Sequence, residues 1–133
     1  MENLFQMNFT RAQVNAVSNL GLAHIGDGVY ELMCRTYLCN HGNKTVKNLH
    51  NDSVSLVNAT AQAAFAEKLL SFLTEDELAF YRRGKNAHTH AAPKAASRQA
   101  YAKATGLETL FGALYLMGQT ERLNELFFIM MEK

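Results

Sequence analysis

The stretch LGLAHIGDGVYELMCRTYLCN, running from residue 20 to residue 40, decides how the chain reads. Its apolar residues recur at helical spacing, with Leu22, Ile25, Val29, Leu32 and Met33 on one face of a helical wheel. Asp27 falls on the other side, beside Ala23, Tyr30, Cys34 and Leu38, so both faces are largely apolar. A helix of that kind is packed on more than one side. It is predicted to stop where Gly42 supplies a helix-ending glycine. Asp27 thus sits in an apolar setting, and Gly26 just before it removes a side chain where another helix or a ligand can come close.

Outward from this stretch the helical period continues. Thr10 is placed to N-cap a first short helix reaching Asn19, and Thr45 to start a turn of helix through His50. Val54, Val57, Ala61, Ala64, Phe65 and Leu69 line a further helix from Ser53 to Ser71. Thr74 and Glu77 form a T-x-x-E capping box for a helix ending near Asn86. His88 to Ala96, which holds the single proline, reads as a loop. Ser97 then caps a helix from Arg98 to about Met117, Gly118 ends it, and Thr120 caps a last helix from Glu121 to about Met131. No run alternates like a paired strand, so the fold is predicted to be all-α, a single helical bundle over 1–133. The first nine residues show no period and are expected to be flexible.

At 133 residues and 48% hydrophobic, the chain can bury one real core and not two. A formal net charge of +1 does not announce a polyanion binder, but the distribution does. Between Glu77 and Glu108 there is no acid, while Arg82, Arg83, Lys85, Lys94, Arg98 and Lys103 all fall there. A neutral chain with one basic segment has a polarised surface, as a phosphate-binding face does. Cys34 and Cys39, five apart on a helix, point to different faces, so no disulfide framework is expected. No run approaches the about 20 apolar residues of a membrane span. A cytoplasmic protein without a membrane partner is expected.

Glu108 repeats the anomaly of Asp27. Its neighbours three and four residues away are Ala104, Thr105, Phe111 and Gly112, and it is the only acid in its helix. An ionised carboxylate with little water around it needs a cation, a set of donors, or a raised pKa. Two of them suggest a shared divalent ion, and hard oxygen ligands favour Mg²⁺ or Mn²⁺ over zinc. Periodicity leaves open the alternative that each pairs with an Arg or Lys across a helix interface. His88-x-His90 has no third ligand at metal spacing and reads as loop.

The segment LAHIGDGVYE, Leu22 to Glu31, resembles the L-A-x-x-G-D-A-V-x-E signature helix of Mini-ribonuclease III, the short branch of the ribonuclease III superfamily without a double-stranded-RNA-binding domain. The likeness continues in order. Asn48-Leu49-His50 with Ser53, then Val57 to Gln62, are similar to its D-L-H-x-x-S and V-S-A-x-x-Q-A stretches. Arg82 to Ala87 resembles R-G-R-N-A, followed by Thr89 and Pro93-Lys94. Tyr101 to Tyr115 (YAKATGLETLFGALY) resembles Y-R-x-S-T-G-F-E-A-L-I-G-Y-L-Y. Together these motifs cover about Leu20 to Leu126. Gly28 stands where the family has Ala, Asn48 where it has Asp, and Ala95-Ala96 where it has a polar pair. Full-length ribonuclease III carries two further acids, at positions held here by Ala23 and Thr105.

The resemblance implies a ribonuclease III-type domain that pairs along its signature helices into a two-fold homodimer. Asp27 and Glu108 become the catalytic metal ligands, with Mg²⁺ as cofactor and Mn²⁺ as a substitute. The implied reaction is endonucleolytic cleavage of double-stranded RNA to 5′-phosphate and 3′-hydroxyl ends. The implied substrate is precursor 23S ribosomal RNA, with a ribosomal protein or pre-ribosome as further partner. Duplex RNA is read through phosphate and 2′-hydroxyl contacts, and Arg83, Lys85, Asn86, Lys94, Arg98 and Lys103 are the candidates to make them. Glu31, one turn beyond Asp27, is a candidate to support the site or to orient the dimer. The rival from another class is a non-catalytic double-stranded-RNA-binding helical module whose acids only form ion pairs.

Overall fold

Short polar side chains mark most of the helix starts. Thr10, Ser18, Thr45, Asn58, Thr74 and Ser97 each accept a hydrogen bond from the backbone N–H three residues on, at 2.8–3.2 Å. The structure, a computed structural model, describes residues 1–41, 45–87 and 97–132. Those residues form seven α-helices: α1 (Arg11–Asn15), α2 (Asn19–Asn40), α3 (Val46–Val57), α4 (Ala59–Leu69), α5 (Glu75–Lys85), α6 (Arg98–Leu116) and α7 (Thr120–Met131), with a 3-10 turn at Leu70–Phe72. No strand occurs among them, and none of the described helices is long and apolar enough to cross a membrane. Gly42 and the segment carrying His88, His90 and Lys94 lie outside the described residues.

Several boundaries correct the sequence expectation. The first helix stops at Asn15 rather than Asn19, because Ser18 caps a new helix there. The break between α3 and α4 falls at Asn58 rather than before Ser53. Asn58 is extended and its side chain caps α4, so one helix hands over to the next with no intervening loop. Thr120 is the first residue of α7 rather than its cap, and Gln119 precedes it without a side-chain cap bond. The cause is Gly118, whose φ of 73° ends α6 in the left-handed conformation. The N–H of Gln119 then donates to Leu114 O at 2.9 Å, closing the helix end.

The core is built around α6. It buries Ala104 to Leu107, Thr109 to Leu114 and Leu116, so it is enclosed on nearly all sides, mainly by α2, α4 and α5. The buried residues of α2 are Leu22, Ala23, Gly26, Tyr30, Cys34 and Leu38, and Asp27 between them is exposed. Leu32 and Leu20 remain 54% and 49% exposed on the outer face, although Leu32 shares its helical-wheel face with buried Leu22. Within the first nine residues, Met7 and Phe9 pack on the core, and the Phe9 N–H donates to Leu116 O at 2.7 Å.

Candidate active site

Two glycines set the distance between α2 and α6. A Cβ on Gly26 would land on the carbonyl of Glu108, and one on Gly112 would land on the carbonyl of Leu22. The helices therefore meet backbone to backbone. That crossing places the residue after Gly26, which is Asp27, beside Glu108. The two carboxyl groups come within hydrogen-bonding reach of each other. Asp27 is exposed, which corrects the expectation that both acids lack water, while Glu108 is half-buried.

Glu108 is pushed up to about 8, first by burial, then by its hydrogen bond to Asp27 and by that neighbour's negative charge. Gln62 of α4 acts in the opposite direction, its amide favouring the charged form. Among the described residues no cationic side chain figures in the influences on Glu108, so none of them forms the ion pair of the alternative. Among the described residues no three His, Cys, Asp or Glu side chains gather as a metal cluster. The donor set is thus two carboxylates, with buried Ala23 and Thr105 adding no acid. The Thr105 hydroxyl donates to Tyr101 O at 3.0 Å and is engaged within its own helix. Two mutually repelling carboxylates, one of them open to water, fit a hard divalent cation whose remaining ligands come from water or substrate oxygens.

The surroundings are a wall rather than a reactive group. Tyr30 is fully buried, and its hydroxyl donates to Leu56 O at 2.6 Å, tying α2 to the end of α3. Burial raises the Cys34 thiol to about 11, with Tyr30 pulling it down and Glu31 pushing it up, so it stays a thiol at neutral pH. The residue missed as a site component is Gln62, 3% exposed, whose Nε2 makes no hydrogen bond. Its signal was a lone amide in an alanine-rich helix, ATAQAAFA.

The other candidates separate into free and engaged groups. Lys85 and Asn86 at the end of α5, and Arg98 at the start of α6, are exposed. Arg83 is engaged: Nε donates to Asn19 Oδ1 at 2.7 Å, Nη2 to Val17 O at 3.0 Å and Nη1 to Asn15 Oδ1 at 3.4 Å. It clamps α5 to the junction of α1 and α2. Lys103 pairs with Glu67 across α6 and α4 at 2.7 Å. Glu31 pairs with Arg35 one turn further along α2 at 2.6 Å rather than joining Asp27 and Glu108. Lys94 lies in the segment not described.

With this geometry in place, the relatives are informative. The model of the Ribonuclease III domain family matches residues 20–119. Mini-ribonuclease 3 of Symbiobacterium thermophilum is 48% identical over 80% of this chain and 82% of its own. Mini-ribonuclease 3 of Clostridium tetani is 40% identical over 89% of this chain and 79% of its own. A crystal structure of a Fusobacterium nucleatum protein superimposes with a TM-score of 0.82 at 29% identity, covering 89% of this chain and 96% of that one. The stretch matched by the family model contains both helices of the carboxylate pair, and the chain belongs to the ribonuclease III family, in its Mini-ribonuclease 3 branch.

Proposed function

We propose that this endoribonuclease cuts double-stranded RNA with Mg²⁺, or Mn²⁺ in its place, held by Asp27 and Glu108. One observation carries the proposal: the Gly26–Gly112 crossing sets these two acids against each other, with no cationic side chain among the described residues acting on Glu108. When bound there, a divalent ion polarises a phosphate oxygen and lowers the pKa of an attacking water. Asp27, on the exposed side, meets the substrate first, and Glu108 anchors the inner side of the pair. Lys85, Asn86 and Arg98 flank the segment that holds Lys94 and are free to contact phosphates. Arg83 acts by fixing the end of α5 that presents Lys85 and Asn86, and its guanidinium is taken out of the contact set.

The active form is a homodimer joined along the outer face of α2, where Leu20 and Leu32 are exposed and nothing lies within 4 Å of a Cβ built on Gly28. Two-fold symmetry gives each strand of a duplex its own carboxylate pair. The substrate is precursor 23S ribosomal RNA in the cytoplasm, met with a ribosomal protein or in the pre-ribosome, and the products carry 5′-phosphate and 3′-hydroxyl ends. The support for these finer points is the likeness to the family branch.

The test is cleavage of a panel of RNA duplexes with and without Mg²⁺. Asp27→Asn is expected to lose about a thousandfold in rate, roughly 4 kcal/mol of barrier, while binding duplex RNA as before. Wild-type protein that leaves every duplex intact in Mg²⁺ sinks the assignment and favours a binding module. A monomeric mass at micromolar concentration refutes the dimer.

A further inference from the structure

Gln62 is a buried amide beside the carboxylate pair whose Nε2 donor makes no hydrogen bond. It lies on α4, a third helix, and is 97% buried by its 3% exposure. In α4 it is the single amide, set among alanines with Thr60 and Phe65. The amide lies close enough to Glu108 to favour its charged form, yet Nε2 makes no full hydrogen bond. Buried donors are ordinarily paired, and an unpaired one costs stability. A donor kept unpaired beside a carboxylate is explained if its acceptor becomes available in the working state.

Resting on the assignment of Asp27 and Glu108 as cation ligands, we propose that Gln62 is a positioning residue for Glu108: its Nε2 donates to a Glu108 carboxylate oxygen and fixes that side chain for a divalent cation. Neither α2 nor α6 supplies such a group. Position 23 is a buried alanine, and the Thr105 hydroxyl is spent on Tyr101 O. Outer partners of this kind orient a ligand without touching the ion, and removing one typically weakens metal affinity by about 10–100-fold.

The experiment is calorimetric titration of Mn²⁺ into the RNA-free full chain, comparing wild type, Asp27→Asn, Gln62→Leu and Gln62→Met. Both Gln62 variants are expected to bind Mn²⁺ about tenfold more weakly, with a thermal midpoint in chelator equal to wild type or higher. The Mg²⁺ concentration for half-maximal cleavage should rise by a similar factor while KM for duplex RNA stays the same. Gln62→Met keeps the length of the side chain and serves if Gln62→Leu does not fold. Unchanged Mn²⁺ binding in a folded Gln62 variant overturns the proposal and leaves Gln62 a core residue. In that case wild-type binding that Asp27→Asn abolishes keeps the carboxylate site intact. No Mn²⁺ binding by wild type takes both assignments down.

Discussion

Glu77 and Glu108 are both withdrawn from water, and their chemistry runs in opposite directions. Burial opposes the charge of each. At Glu77 that penalty is more than offset. Arg122 donates through Nε at 2.8 Å and Nη2 at 2.9 Å to its two oxygens, and the Thr74 N–H adds a bond at 2.9 Å, so its pKa falls below the usual 4.5. At Glu108 burial is reinforced by another acid, Asp27, and the pKa rises. Glu77 is therefore a finished joint between α5 and α7, complete in the protein alone. Glu108 has no such cationic partner among the described residues. Burial marks both residues, and the partner tells which one is a site.

The contrast can be broken at either end. The largest effect is expected from Glu108→Gln, which should lower duplex cleavage about a thousandfold, roughly 4 kcal/mol of barrier. The thermal midpoint of the metal-free variant should not drop, since one of two facing acids is gone. Gly26→Ala attacks the crossing that creates the pair. Its methyl has no room against the Glu108 backbone, and a loss of about 3 kcal/mol, read by urea unfolding, is expected together with loss of Mn²⁺ binding.

Glu77→Gln should cost about 2 kcal/mol without altering the metal dependence of cleavage. It also carries a pH signature. The folded-state pKa of Glu77 is depressed, so its contribution is present above the unfolded value and lost as pH falls through and below it. Wild type should then lose more thermal stability than Glu77→Gln between pH 5 and pH 3, a window that spans the ordinary glutamate value of about 4.3. Equal losses would remove Glu77 from the account of acid stability. The smallest effect is Gly28→Ala, expected to add up to about 1 kcal/mol in a monomer. A loss instead would place a close partner on that open position.

Local chemistry was legible in the sequence and long-range pairing was not. Thr10, Ser97 and the Thr74–Glu77 box were readable because a cap and its N–H lie three residues apart. Asn58 was missed because apolar residues keep helical spacing on both sides of it, and a period does not register a one-residue kink. Asp27 and Glu108 stood out as acids on apolar faces, although only the fold shows that one of them meets water. Arg83 looked like a surface cation in an acid-free window. Its three acceptors lie in residues 15–19, more than sixty positions away, and no local pattern encodes that. Arg122, forty-five residues from Glu77, was hidden for the same reason.

The Gly26–Gly112 contact has a consequence for how the carboxylate spacing responds to change. Where helices rest on side chains, every rotamer hop or core substitution alters their separation slightly. Here peptide groups bear directly on peptide groups, so the main-chain positions that carry the two acids are spaced by the radii of helix backbones, and only the acids' own side chains remain to be set. The pair behaves like a gauge block whose dimension is machined into the main chain. Drift elsewhere in the core can change how firmly the bundle holds while leaving this span unaltered.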